Sequence, residues 1–204
     1  MEGEDEATKT EARQFMSDVL PTMPASTTED ASVGNGAHVR ADMAAWKSTY
    51  ATASTTKSSN KNNNNSNNEK LMEEFWTAHY DPEATSIWKM VYDEVDSTDD
   101  MDEAKGLVAT FMDNPGMHDQ ALLMEDHCFG IMHTLSSMEI EGLWFFNGPD
   151  PEQLFGANEE TSWYTWSQLG PEATDQVKIA VANFFTPTDG TLNGKAIMDT
   201  KAFC

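Results

Sequence analysis

Cysteine and basic residues are scarce in this chain, and each shortage excludes a class of protein. Only Cys128 and Cys204 are cysteines among 204 residues, too few for the disulfide framework of a small secreted domain. Asp and Glu outnumber Lys and Arg by 35 to 12, which gives a formal charge of −23. Such a charge argues against direct capture of nucleic acid or of an anionic membrane surface. We therefore expect protein partners with a basic surface.

Long apolar runs are also missing. The run 142–146 is a few residues long, whereas a membrane-spanning helix needs about 20 residues. The first six residues, Met-Glu-Gly-Glu-Asp-Glu, lack the basic and apolar regions of a secretory signal peptide. These features predict a cytoplasmic protein without a membrane span.

Large apolar residues are rare in the first third of the chain. Residues 1–70 hold no Ile, one Leu, one Phe, one Trp and one Tyr, so burial there cannot offset the entropy cost of ordering. The Asn-rich run 60–68 is typical of a polar linker. We predict a disordered, Asn-rich tail over residues 1–70 and a folded domain over residues 71–204.

Two stretches of the tail have helical periodicity, 11–20 and 37–52. In the second, Met43, Trp46 and Tyr50 recur at helical spacing. Such a stripe can bind a groove of a partner or of its own domain, or belong to a transient helix in a disordered arm. The three residues are the candidate interaction residues of the sequence.

Residues 71–204 carry most of the acidity and have no Arg. They contain twenty-five acidic residues and five Lys, a formal charge of −20. Phosphate recognition usually needs Arg forks or Lys clusters. Neither a nucleotide nor another cofactor is expected.

The apolar patterns of residues 71–204 predict an α+β domain. Helices and neighbouring strands without regular βαβ alternation indicate an antiparallel sheet with helices packed against it. The predicted helices are 71–80, 104–112, 117–126 and one that opens at 170–172, and the predicted strands are 86–95, the hairpin 127–135 and 139–146, 163–168, and an edge segment 194–204. On the second hairpin strand, we expect one face to be core throughout and the face of Glu139 and Glu141 to be covered only at its end.

Residues capable of catalysis or metal binding do not form a convincing set. One cluster comprises His118, Asp119, Glu125, Asp126, His127, Cys128 and His133. It lacks the Cys-x-x-Cys or His-x-x-x-His spacing of a zinc site. The acidic segment 93–103 lacks the glycine and the final Glu of a calcium loop. We predict no metal site and no catalytic residues, with Cys128 as a buried thiol and the thirteen Met residues as adaptable core filler.

A series of short motifs in residues 75–204 resembles the C-terminal domain of translation elongation factor 1-gamma, in the order of that family. The residues that carry the resemblance are Phe75, Trp76, Trp88, Phe111, Gly116, Gly142, Trp144, Gly148, Tyr164, Trp166, Gly194, Lys195, Lys201 and Phe203. The resemblance implies an antiparallel sheet of about five strands with helices on one side. It also implies a non-catalytic subunit that organises the guanine-nucleotide exchange complex of translation elongation.

The chain departs from the family pattern mainly where the family has basic residues. Asn147 replaces an Arg, Asp119-Gln120 replaces Gln-Arg, Glu125-Asp126 replaces Arg-Lys, and Cys204 replaces a final Lys. The glutathione-transferase-like N-terminal half of the family has no counterpart in these residues. The resemblance therefore implies the fold more strongly than any contact made through basic charge.

The leading hypothesis is a structural or interaction subunit of the translation elongation complex. Its expected partners are basic proteins, including other elongation factor 1 subunits. The alternatives are an adaptor in an unrelated complex, anchored by the Met43, Trp46 and Tyr50 stripe, and a divergent small-molecule binder with a polar cleft.

Overall fold

A computed structural model of the chain describes residues 40–55 and 61–204, within a compact unit that spans Ala37–Cys204. Its helices are α1 (Met43–Thr55), α2 (Lys61–Glu74), a π-helical turn (Phe75–His79), α3 (Met101–Met112), α4 (Met124–His127), α5 (Glu152–Ala157) and α6 (Asp175–Phe185), with 3₁₀ turns at Val95–Ser97, Pro115–His118 and Glu159–Trp163. Its strands are β1 (Thr85–Tyr92), β2 (Cys128–Leu135), β3 (Ile140–Asn147), β4 (Tyr164–Leu169), β5 (Thr191–Leu192) and β6 (Lys195–Phe203).

All strand pairs in the sheet are antiparallel, in the order β4-β1-β3-β2-β6-β5. The predicted α+β fold is confirmed, with six strands where about five were expected. The hairpin β2–β3 forms the centre, where Phe129 pairs with Phe145 and Ile131 with Leu143. The terminal segment becomes β6, which pairs with β2.

Helices cover both faces of the sheet, whereas the resemblance implied only one. One face, the α1 face, packs under α1, α2, the π-helical turn and α6; the other, the α3 face, packs under α3, α4 and α5. Every residue of β2 and of β3 is buried. The prediction that one face of the second hairpin strand is covered only at its end is therefore wrong. The physical reason is that both sets of alternating side chains find a helical layer.

The packed unit begins before the predicted boundary at residue 71. α1 begins after Asp42, whose Oδ1 accepts the Ala45 N–H at 2.9 Å, and its buried side belongs to the core cluster of the α1 face. Asn147 of β3, which stands where the family has an Arg, donates through Nδ2 to the Ala41 carbonyl at 3.0 Å. These contacts tie residues 41–55 to the domain, so burial offsets the ordering entropy that composition alone left uncovered.

Residues 61–68 of the predicted Asn-rich linker are helical in the structure, as the first half of α2. Asparagine is a weak helix former, but α2 continues into Leu71 and Met72, which are buried in the α1 face. Tertiary packing of the second half thus outweighs the propensity of the first. The predicted tail over residues 1–39 and the helical stretch 11–20 lie outside the described residues and stay predictions.

Two predicted helices differ in extent from those observed. The stretch 117–126 is not one helix, because Leu123 adopts a left-handed φ of 51° and only α4 follows it. Helix α6 begins at Asp175 rather than beside Pro171, with Thr174 as its N-cap: the Thr174 hydroxyl accepts the Val177 N–H. Helix α3 agrees with the prediction, and Asp100 caps its first turn.

Candidate interaction surface

The predicted interaction stripe lies in the core of the chain's own domain. Met43, Trp46 and Tyr50 are 2%, 0% and 6% exposed. The Trp46 ring lies 4.9 Å from that of Phe75, and the Tyr50 ring lies 4.9 Å from that of Phe129, measured between centroids. Of the hypotheses for this stripe, the structure favours docking on the chain's own domain. In this arrangement the three side chains are not accessible to a partner.

Some polar atoms beside the stripe are buried and have no hydrogen-bond partner among residues 40–55 and 61–204. They are Trp46 Nε1, His79 Nδ1 and Lys47 Nζ. Lys47 Nζ lies 4.6 Å from the centroid of the Phe203 ring, and desolvation by burial lowers the pKa of its ammonium group. Burial likewise lowers the pKa of His79. The packing of α1 on the sheet therefore includes an unfavourable desolvation of polar groups as well as a favourable burial of apolar surface.

The aromatic family-motif residues belong to the two cores or pack against them, whereas Gly194 and Lys201 are exposed. Phe75, Phe111 and Trp144 are fully buried, and Tyr164 and Phe203 nearly so. Position 116 requires glycine for a steric reason, because a Cβ there would lie 1.8 Å from the backbone oxygen of Ala157. Trp88 and Trp166 pack on the α3 face, and Trp76 packs on the α1 face. Among these residues, Lys195 pairs with Glu139.

The fold divides the cluster of metal-ligating residue types. His118, Asp119, Glu125 and Asp126 line one groove, whereas Cys128 and His133 lie on β2. Cys128 lies on the α3 face. The His133 ring contacts the Phe184 carbonyl at 3.0 Å and the Thr200 hydroxyl at 2.8 Å. Burial raises the pKa of Cys128 to about 12, which keeps its thiol protonated at neutral pH. Within residues 40–55 and 61–204, no three His, Cys, Asp or Glu side chains could hold a metal ion together.

A polar network on the α1 side of the sheet was missed by the sequence reasoning. Glu141, 7% exposed, receives Lys89 Nζ at 2.8 Å and the Asn193 amide at 3.0 and 3.1 Å. Lys195 adds the ion pair with Glu139 nearby. The alternating acids Glu139 and Glu141 were visible in the sequence, but the partners of Glu141 come from β1 and from the loop before β6. Since these groups satisfy one another, the network is structural.

An acidic groove of about 410 Å³ lies between the 3₁₀ turn at Pro115–His118 and α4. Its lining residues are Met117, His118, Asp119, Gln120, Leu123, Met124, Glu125 and Asp126. The four family departures Asp119-Gln120 and Glu125-Asp126 therefore surround a single groove. Leu122 and Leu123 beside it are 38% and 60% exposed. The groove combines carboxylates with apolar surface, and this combination suits a basic protein segment.

A second groove, of about 400 Å³, runs between α1 and α2. It is lined mainly by polar side chains, including Ser48, Thr49, Thr52 and Glu74. The Thr49 hydroxyl donates to Glu74 at 3.2 Å. Lys70 lines this groove together with Glu74.

Comparison with known families gives one match. The model of the family described as elongation factor 1 gamma, conserved domain, matches residues 32–150. No significant match to a curated protein is found. None of the described helices is long and apolar enough to cross a membrane.

The two ends of the matched segment can be compared with the elements of the structure. It begins before α1, which supports the inclusion of residues 40–55 in the domain, and it ends just after β3. The motifs around Trp166 and Lys195 lie beyond it, so their assignment to the family remains a prediction. The match covers more than half of the chain, which therefore belongs to the family of the elongation factor 1 gamma conserved domain.

Proposed function

We propose that this chain is a non-catalytic structural subunit of the translation elongation machinery, in the cytoplasm, where it binds other proteins of the guanine-nucleotide exchange complex. Family membership over residues 32–150 carries the proposal, because an elongation factor 1-gamma-like role follows from it. Association with the guanine-nucleotide exchange complex and the lack of catalysis go beyond family membership and are part of what we propose.

The distribution of charge supports basic partners rather than nucleic acid. Of the five Lys in residues 71–204, Lys89 and Lys195 are paired with acids, and Lys178 lies over the Trp76 ring. The acids outnumber them five to one. Association through this surface should weaken with salt, since screening reduces attraction between exposed charges.

The test is affinity capture by the full tagged chain from a cytosolic extract of its source, at low and at moderate salt. The proposal expects an elongation factor 1 component, or a basic protein bound to one, that is lost as salt rises. Recovery of neither contradicts the proposal. Recovery of a different, reproducible complex supports the alternative of an adaptor in an unrelated assembly.

A matched pair of variants locates the contact. Glu125→Lys changes the charge of the acidic groove, whereas Asp96→Lys makes the same change in an exposed 3₁₀ turn. If the groove binds the partner, Glu125→Lys weakens capture more than Asp96→Lys. Equal effects would assign the attraction to the overall charge of the protein.

A further inference from the structure

The two lateral edges of the sheet are protected to very different degrees. At one edge, β6 carries Lys195, Asp199 and Lys201, its pairing with β2 shifts register at Thr134 and Leu135, and β5 covers its beginning. Charges, bulges and covering segments are the devices that keep sheet edges from pairing with other chains. The β6 edge has all three.

The β4 edge has none of these devices. Its sequence, Tyr-Thr-Trp-Ser-Gln-Leu, contains no charged residue and no Pro. Its pairing with β1 runs without a register shift from Tyr164 to Leu169. No strand among the described residues lies next to β4 on its outer side. In a domain this acidic, an uncharged, regular edge strand is an exception.

The alternation of hydrogen bonds between β1 and β4 shows which backbone groups of β4 have no partner in β1. The Asp93 N–H donates to the Trp163 carbonyl at 3.1 Å, and in an antiparallel pair every second residue bonds to the same neighbour. Thr165, Ser167 and Leu169 therefore bond to β1. The N–H and C=O groups of Trp166 and Gln168 point outward, and no backbone hydrogen bond reaches them from the described residues. The Tyr164 carbonyl also points outward, whereas the Tyr164 N–H donates to the Thr161 carbonyl at the end of the preceding 3₁₀ turn.

We propose that the outer edge of β4 binds an extended segment of a partner protein, which joins the sheet as an additional antiparallel or parallel strand, with basic residues at its ends. The outward groups are two donors, at Trp166 and Gln168, and three acceptors, and unpaired backbone groups of this kind are the basis of strand addition. Trp163, 44% exposed, and Trp166, half-buried, lie at this edge. They provide aromatic surface for an apolar side chain of the segment.

Charge complementarity selects the occupant. The strand is uncharged, but exposed acids flank both of its ends: Asp93 and Glu159 near the beginning, and Glu172 after the end. A second copy of this chain would bring the same acids and a charge of −23, so like charges would meet at the junction. A segment with Lys or Arg at its ends meets opposite charges instead. This inference rests on the proposed protein-binding function and adds where one partner docks.

A proline scan at one position tests the edge directly. Gln168→Pro removes an outward N–H and places the ring where the added strand would lie, but it leaves the bonds to β1 intact. Gln168→Thr keeps the N–H and is the matched control. Thermal unfolding of both full-length variants verifies that the fold is retained.

The probe is a fluorescein-labelled peptide, Lys-Lys-Thr-Val-Thr-Val-Thr-Lys-Lys, with a second peptide in which both Val are replaced by Pro. Fluorescence anisotropy at low salt should show binding of the first peptide to the wild-type chain and to Gln168→Thr, and at least tenfold weaker binding to Gln168→Pro. The Pro-containing peptide, which has the same charge, should also bind at least tenfold more weakly. Equal binding of the two peptides, equal binding to all three proteins, or no binding overturns the inference.

Amide hydrogen exchange gives a readout that needs no variant. At a saturating concentration of the first peptide, the amides of Trp166 and Gln168 should exchange at least tenfold more slowly, whereas those of β6 should not change. Unchanged exchange in β4 contradicts the inference even if Gln168→Pro fails to fold. If the wild-type chain captures an elongation factor component and Gln168→Pro captures it equally, the edge inference fails while the proposed function stands. Capture of no such component by the wild-type chain contradicts the proposed function itself.

Discussion

The two faces of the sheet are closed by different parts of the chain and with different chemistry. The α3 face is covered by helices that follow one another between residues 101 and 157, and its core contains Met90, Met112, Met117, Met124 and Met132. The α1 face is covered by α1 and α2 from one end of the described chain and by α6 from near the other. Its described core holds two methionines, and the rings of Trp46, Phe75, Phe129 and Phe185 form one cluster of contacts there.

This difference shows where the fold tolerates change. Methionine side chains are flexible and adapt to irregular space, so the α3 face should accommodate modest substitutions. Aromatic rings in mutual contact leave less freedom. Since α1 reaches its face from a polar stretch of sequence, we infer that the stability of the whole domain depends on a helix that composition alone assigned to a tail.

The largest expected effect comes from Trp46→Ala on the α1 face. Loss of a fully buried Trp side chain costs about 3–5 kcal/mol, a large share of the stability of a typical domain. Urea unfolding followed by circular dichroism measures it. Trp163→Ala, at a ring 44% exposed, is the control and should change the free energy of unfolding by less than about 1 kcal/mol. Equal effects would show that α1 does not close this face.

A smaller effect is expected from Gly130→Ala on the α3 face. A Cβ at Gly130 would lie 2.3 Å from the Trp144 ring, and such overpacking costs about 1–3 kcal/mol. The surrounding methionines should keep the loss within this range. Gly106→Ala, in the exposed side of α3 with nothing within 4 Å, should instead stabilise the protein by about 0.5–1 kcal/mol. Urea unfolding of the pair contradicts this account if both variants behave alike.

Lys47→Met should raise the free energy of unfolding by improving the packing of α1 on the sheet. The buried ammonium group has no hydrogen-bond partner in the described part of the chain, so an apolar side chain of similar length removes a desolvation cost, offset in part by the lost contact with Phe203. We expect a gain of about 1 kcal/mol at neutral pH. Because the pKa of Lys47 is lowered in the folded chain, the cost disappears as pH rises toward 10.5 in the wild type. The gain should therefore shrink above neutral pH, and a loss of stability at neutral pH would contradict it.

The smallest expected effect is a sensitivity to mild acid on both faces. Burial lowers the pKa of His79 and of His127 below 6.5, so below pH 6.5 the unfolded chain binds protons more readily than the folded chain. Stability should therefore fall as pH decreases from 6.5 through the lowered pKa values. His79→Gln should make the slope of the unfolding free energy against pH shallower between pH 6.5 and 5. An unchanged slope would show that His79 does not contribute.

Local patterns were enough to predict the central part of the fold. The hairpin strands β2 and β3 alternate apolar residues over adjacent stretches, so both their type and their pairing followed from sequence. The helix α3 was equally visible through the spacing of Ala104, Val108 and Phe111. The role of α1 could not be predicted from local patterns. Trp46 packs against Phe75, Phe129 and Phe185, which lie 29 to 139 positions away along the chain.

The candidate surfaces were predictable only in their charge. The excess of acids was plain in the sequence, but the acidic groove depends on the turn at Leu123, whose left-handed φ of 51° is rare for a bulky residue. The open edge of β4 likewise depends on strand order, since β4 pairs with β1 although residues 93–163 lie between the two strands in the sequence. Long-range pairing of this kind has no local pattern in the sequence.

The central structural claim is that α1 is part of the folded domain. Native-state amide hydrogen exchange of the full chain tests it most directly, by comparing the amides of α1 with those of β2 and β3. We predict that the amides in the middle of α1, around Trp46 and Tyr50, exchange only through opening of the domain, with protection close to that of the central hairpin. Exchange of α1 amides at the rate of an exposed peptide, with the hairpin still protected, would contradict the claim.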